Sequence, residues 1–193
     1  MPINPNKVKY NLLNVHYALM NVSESGIVTF GTPKPLPGAV NLTLTPQGDS
    51  STFYADGIAY YVSVANGGYQ GDLELALIPD YFSQDALGET LDETDKVMVE
   101  HAYAEPSLFA LLFQIMGNVH GVRNVLYGCT ASRPNIAAAT TTNTKAPQTA
   151  TLPITAAPMA DGIVKAYTTK DTPETVYNNW YKNVWMPALP EAV

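Results

Sequence analysis

The sequence predicts a mainly β protein: one domain over residues 1–193, built as a β-sandwich or partly closed barrel with two short helices. Three observations predict it. Several segments alternate apolar and polar residues, the period of a strand with one face in a core. Clusters of Gly, Pro, Asn and Asp break the chain at short intervals. Helical spacing is confined to residues 80–88 and the C-terminal region. A length of 193 residues suits one sizeable core and would crowd two.

Taken in order, residues 1–10 are polar, carry Pro2 and Pro5, and predict an N-terminal arm. Asn11 to Met20 predicts a strand and Val28–Phe30 a short one, before a stiff extended loop at Pro33, Pro35, Pro37 and Gly38. Val40 to Thr45 alternates cleanly, with Val40, Leu42 and Leu44 toward a core and Asn41, Thr43 and Thr45 away from it. Pro46 to Gly57 predicts a long loop, where functional contacts concentrate. Ile58 to Val64 alternates again, with Ile58, Tyr60, Val62 and Val64 on one side, and Asn66-Gly67-Gly68 signals a turn. Leu73, Leu75 and Leu77 alternate with Asp72, Glu74 and Ala76 in another half-buried strand, ended by Pro79.

Asp80 as a cap, Tyr81 to Leu87 and a terminal Gly88 predict a two-turn helix. Glu89 to Asp95 is an acidic loop. Val97–Val99, Leu108–Met116 and Val122–Ser132 predict three strands, the last two joined at Gly117-Asn118 and His120-Gly121. Ala137 to Thr151 is nearly all Ala, Thr and Asn and predicts a flexible or partner-ordered loop. Leu152–Ala156 and Ile163–Tyr167 predict a final strand pair around Asp161-Gly162. Thr172-Pro173 opens a C-terminal helix and tail over residues 172–193, with the helix ended by Pro187. Its aromatic stripe of Tyr177, Trp180, Tyr181 and Trp185 predicts packing rather than a ligand platform.

Charged residues make up only 14% of the chain, against roughly 25% in ordinary globular proteins. Thr, Ala, Asn, Gly, Pro and Tyr replace them, a surface suited to lying against a neighbour. The net charge of -7 and the scattered Lys and Arg argue against ordinary nucleic-acid binding, which rests on phosphate neutralisation. The single cysteine, Cys129, excludes an internal disulfide framework and fits synthesis in a reducing cytoplasm. No signal-peptide pattern is read at the N-terminus, and the most apolar run, Leu108 to Ile115, is far short of the ~20 residues that span a bilayer. No membrane insertion is expected.

Catalytic chemistry is hard to assemble from these residues. His16, His101 and His120 lack metal-ligand spacing, and Cys129 reads as a small buried hydrophobe. Gly48-Asp49-Ser50 is turn chemistry without the strand-turn-helix setting of a nucleophilic serine. Glu89, Asp92, Glu93 and Asp95 lack the central Gly of a calcium loop and read as solvated. The expectation is a protein that is not an enzyme, with no catalytic residue, metal or cofactor.

Several blocks resemble the major tail tube proteins of long-tailed, non-contractile bacteriophages. They are Asn6–Tyr10 with Asn14–Ala18, Pro37–Val40, Phe53–Asp56, Gly68–Pro79 with Leu87–Glu89, Val125–Tyr127, Cys129–Ala131, Ser132–Pro134 and Val176–Tyr181. They lie in order over nearly the whole chain, and Gly68–Pro79 is the most specific. The resemblance implies a β-sandwich or barrel core with a flanking helix, a long inter-ring loop and terminal arms. It implies hexameric rings that stack into a tube, with strands of all subunits joined around an acidic lumen for ejected DNA. Implied partners are other copies of the chain, a tape measure protein, a tail terminator and baseplate or tip proteins. The implied location is the virion tail, after assembly in the host bacterial cytoplasm.

On that footing Asn41, Thr43, Thr45, Asp72 and Glu74 are candidates to line the lumen, where acids would repel phosphate. Gln47, Asp49, Phe53, Tyr54 and Asp56 are candidates for the contact between rings. The competing readings are a carbohydrate- or receptor-binding module at the tail tip, the inner tube of a contractile tail, and a polysaccharide hydrolase. The last would need a pair of carboxylates beside aromatic platforms.

Overall fold

The computed structural model describes residues 5–140 and 147–188. Part of the N-terminal arm, the middle of the Ala/Thr segment and the C-terminal tail from residue 189 lie outside the described residues. The strands are β1 (Lys9–Val22), β2 (Val28–Phe30), β3 (Lys34–Pro35), β4 (Ala39–Gln47), β5 (Ser50–Ala55), β6 (Ile58–Val64) and β7 (Gly68–Leu75). After a helical segment come β8 (Thr90–Leu91), β9 (Met98–Val99), β10 (Phe109–Gly117), β11 (Gly121–Ala131), β12 (Ala150–Ala156) and β13 (Lys165–Tyr167). The helical segment is α1 (Asp80–Phe82) running into a π-helical turn (Ser83–Leu87), and α2 is Glu174–Asn179.

Nine strands form one antiparallel sheet in the order β2-β1-β10-β11-β12-β7-β4, with β3 added to β1 and β13 to β11. The sheet is open, not a closed barrel. It curls so that one face of β1, β7, β10, β11 and β12 encloses the main core with Phe82, Ala86 and Leu87. Tyr17, Leu73, Leu75, Phe109, Leu111 and Leu152 are fully buried there. The opposite face of β1, β10 and β11 carries Ala18, Ala110, Leu112, Val125 and Tyr127, and the C-terminal region covers it with Trp180. β10 is therefore buried on both sides, which is why Leu108–Met116 reads as a continuous apolar run rather than an alternation.

The mainly β fold with a short flanking helix is as expected, and several element assignments are corrected. Lys9 and Tyr10 belong to β1 rather than to an arm. Asn6 is pinned to the β10–β11 turn, donating to the His120 carbonyl and accepting from the Val119 and His120 amides. The 46–57 region is not a loop. β4 extends to Gln47, and β5 pairs with β6 across a two-residue turn at Asp56-Gly57. Both turn residues have positive φ (52° and 76°), as a tight type I′ hairpin needs. Neither face of β5 or β6 rests on the core, so burial imposed no alternation on β5 and the apolar positions of β6 are not half-buried.

The expected strand pair of residues 152–156 with 163–167 does not form. β12 and β13 each pair with β11, at Cys129–Ala131 and at Asn124–Leu126 respectively. The C-terminal helix is only Glu174–Asn179, and the chain leaves it in turns at Trp180–Lys182. Thr172 does not cap it. Its hydroxyl accepts instead from the Thr169 amide, and Pro173 holds the N-cap position. Asp80 is likewise the first helical residue after Pro79, whereas Gly88 ends the π-helical turn in the left-handed conformation as expected.

Candidate assembly surfaces

The antiparallel register brings the five candidate lumen residues onto one sheet face. Glu74 sits between Asn41 and Thr151, Asp72 between Thr43 and Pro153, and Gln70 between Thr45 and Thr155. The reverse face of the same strands carries Leu42, Leu44, Leu73, Leu75, Leu152 and Ile154 into or against the core. Asn41, Thr43, Thr45 and Asp72 are exposed, and Glu74 is half-buried, accepting a 2.6 Å hydrogen bond from Thr149 Oγ1. Asp72 and Glu74 are the charged members of this face, and the chain has no Lys or Arg between Lys34 and Lys96. The face is therefore polar and acidic, with small hydroxyl and amide side chains around the two carboxylates. Gln70, Thr151 and Thr155 extend it, although they were not singled out from the sequence. Gln70 shares parity with Asp72 and Glu74 and could have been found, whereas Thr151 was hidden in the low-complexity Ala/Thr segment.

Among the described residues β4 is the last strand of the sheet, and its outer edge carries backbone groups without a neighbouring strand. Beyond Gln47 the β4–β7 ribbon continues as the β5–β6 hairpin, through hydrogen bonds from Gly67 N to Gln47 O (2.8 Å) and Ala65 N to Asp49 O (2.9 Å). The five inter-ring candidates lie along this one ribbon: Gln47 at its base, Asp49 at the junction, Phe53 and Tyr54 on β5, and Asp56 at the tip. Phe53, Tyr54, Ile58, Tyr60, Tyr61, Val62 and Val64 each expose more than half of their surface. The alternation of Ile58 to Val64 predicts a strand with one buried side, whereas every residue of β6 is exposed. The adjacent pair Tyr60-Tyr61 was the signal that both faces would be apolar.

The C-terminal aromatic residues pack on the sheet. Trp180 is buried and its Nε1 donates to the Asn124 carbonyl at 3.3 Å, and Tyr177 donates to the Gly121 carbonyl at 3.1 Å. The Arg123 guanidinium lies 3.8 Å from the Tyr177 ring centroid and 5.1 Å from that of Tyr181, a geometry for cation–π attraction. Trp185 stacks on Trp180 at 6.2 Å, and its carbonyl accepts from the Tyr127 hydroxyl. Burial pushes the Tyr127 and Tyr181 hydroxyls up from the usual phenol range.

Groups capable of chemistry are dispersed. Cys129 is wholly buried, and burial pushes its thiol up to about 12. The Glu89–Asp95 stretch covers β8 and enters the turn to β9, where Asp92 accepts from the Thr94 and Asp95 amides and Glu93 pairs with Lys96. Among the described residues, no group of three or more His, Cys, Asp or Glu side chains converges as metal ligands would. No protein-family model matches the chain, and no curated protein matches it in sequence.

Proposed function

We propose that this protein is the structural subunit of a bacteriophage tail tube of the long, non-contractile kind. In this reading six copies close a ring, rings stack, and DNA leaves the virion through the channel. Copies join laterally through sheet edges such as β4 and axially through the β5–β6 hairpin. The acidic face of β4, β7 and β12 lines the channel and repels the DNA backbone. Tape measure, terminator and tip proteins are the further partners, and the mature location is the virion tail.

The observation that supports the reading most is the bare β5–β6 hairpin. An isolated two-stranded hairpin is marginal in water, and this one carries seven large apolar side chains with more than half of their surface exposed. Fully burying a large apolar side chain is worth about 1.5–3 kcal/mol, so covering the exposed part of seven can offset much of an association cost of roughly 4–15 kcal/mol. A protein with such a hairpin is suited to a partner that covers it. Electron microscopy of the purified protein over a range of concentration and salt tests the proposal. Hollow tubes with a central channel are expected, and monomers under every condition would reject it.

A further inference from the structure

Among the described residues two surfaces lack a partner, and their chemistry matches. One is the β5–β6 hairpin, which among the described residues has no extensive packing on another element. The other is a groove of about 850 Å3 where the curled sheet stays open, between the N-terminal half of β1 and β4. Leu12, Leu42, Leu44 and Ile115 line it as half-buried apolar residues. Leu13 and Val40 line it too and remain 43% and 54% exposed.

The charges differ in sign between the two surfaces. Lys9 and Lys165 line the groove, and an adjoining depression of about 920 Å3 adds Lys7. Lys165 Nζ lies 4.7 Å from the Tyr69 ring centroid, so the cation is held over the groove wall. Among the described residues none of these three lysines is paired with a carboxylate. The ribbon over residues 47–67 has Asp49 and Asp56 and no basic residue. An apolar, acid-flanked hairpin is thus complementary to an apolar, lysine-rimmed groove, in a chain with few cations to spare.

We propose that the groove between β1 and β4 receives the β5–β6 hairpin of a second copy of this chain. This rests on the self-assembly reading above and adds the receiving surface to it. The apolar side chains supply the affinity, and the lysines favour an occupant flanked by acids.

The test uses two whole-chain variants distinguished by a small tag, Tyr60→Cys on the hairpin and Leu13→Cys in the groove. Buried Cys129 stays out of the exchange. Mild oxidation of the mixture is expected to give about tenfold more mixed disulfide than Tyr60→Cys paired with Tyr103→Cys, an exposed position outside the groove. Adding Lys9→Glu and Lys165→Glu to the groove copy is expected to lower the yield about tenfold, because like charges then face each other. Adding Asp56→Lys to the hairpin copy should restore much of it. A mixed yield equal to the control overturns the proposal. Micrographs of the same samples score the tube separately. Cross-links without tubes keep the docking and reject the tube, and tubes without cross-links do the reverse.

Discussion

Asp85 shows how a single residue ties three parts of the chain together. It sits in the π-helical turn, accepts a 2.6 Å hydrogen bond from Tyr17 of β1 and pairs with Lys34 of β3 at 2.5 Å. Tyr17 is fully buried, with its ring edge-on to Phe82 at 4.8 Å. Burial pushes the Asp85 carboxyl up, but the hydrogen bonds from Lys34 and Tyr17 and the Lys34 charge outweigh it and hold the group below the usual range. A depressed folded pKa stabilises above the unfolded value of about 3.9 and is lost as pH falls through the folded one. The stability advantage of the native protein over Asp85→Asn should therefore be full near neutrality and shrink below about pH 4, read by urea unfolding across pH. An advantage that grew on acidification would contradict this. Tyr17→Phe should cost about 1.5–3 kcal/mol, the range for a hydrogen bond to a charged group. Cys129, with its thiol pushed up to about 12 by burial, should resist maleimide near pH 8 until denaturant is added. Rapid labelling of the folded protein would show that the β11 interior opens.

Elements were legible in the sequence where a core imposed a period. β4 and β7 alternate because one face packs and the other is wet, so the period alone puts Asn41, Thr43, Thr45, Asp72 and Glu74 on the polar sides of their strands. The β5–β6 hairpin was half-legible: β6 alternates by sequence, β5 does not, and only the register across Asp56-Gly57 shows them as one ribbon. Pairing partners were not legible, because β12 and β13 share β11 through contacts distant in sequence. One residue reports how tightly β4 and β7 approach. A Cβ added at Gly71 would lie 1.8 Å from the Thr43 carbonyl oxygen, so Gly71→Ala must push the strands apart. A loss of at least about 2 kcal/mol, or some 4–8 °C in Tm, is expected by thermal melting. Replacing residues 50–64 with a short Gly-Ser turn should have the opposite profile. Among the described residues the hairpin has no extensive packing on the rest of its chain, so Tm should move little while assembly is lost. A large fall in Tm would mean that the hairpin supports the fold as well.

At the scale of the whole molecule, the charge pattern links the monomer to its proposed task. Residues 35–95 hold no Lys or Arg, and that stretch builds β4, the hairpin and β7, whose polar face would form the channel wall. A wall that lets DNA slide must not neutralise phosphate, and two carboxylates per copy with Thr and Asn around them meet that requirement. Reversing them should turn the wall adhesive without unfolding the subunit, because Asp72 is exposed and, among the described residues, the side-chain hydrogen bond of Glu74 is the one from Thr149. Asp72→Lys with Glu74→Lys is therefore expected to leave tubes visible in micrographs. Short single-stranded DNA should co-sediment with these tubes at low salt and be released at about 0.2 M salt, as counterion release requires. Native tubes should leave it in the supernatant at both. Nuclease treatment decides where the DNA lies: strands in the lumen are shielded, and strands on the outer wall are digested. Digestion of all the bound DNA would put Asp72 and Glu74 on the outside and remove the lumen assignment while leaving the tube itself intact.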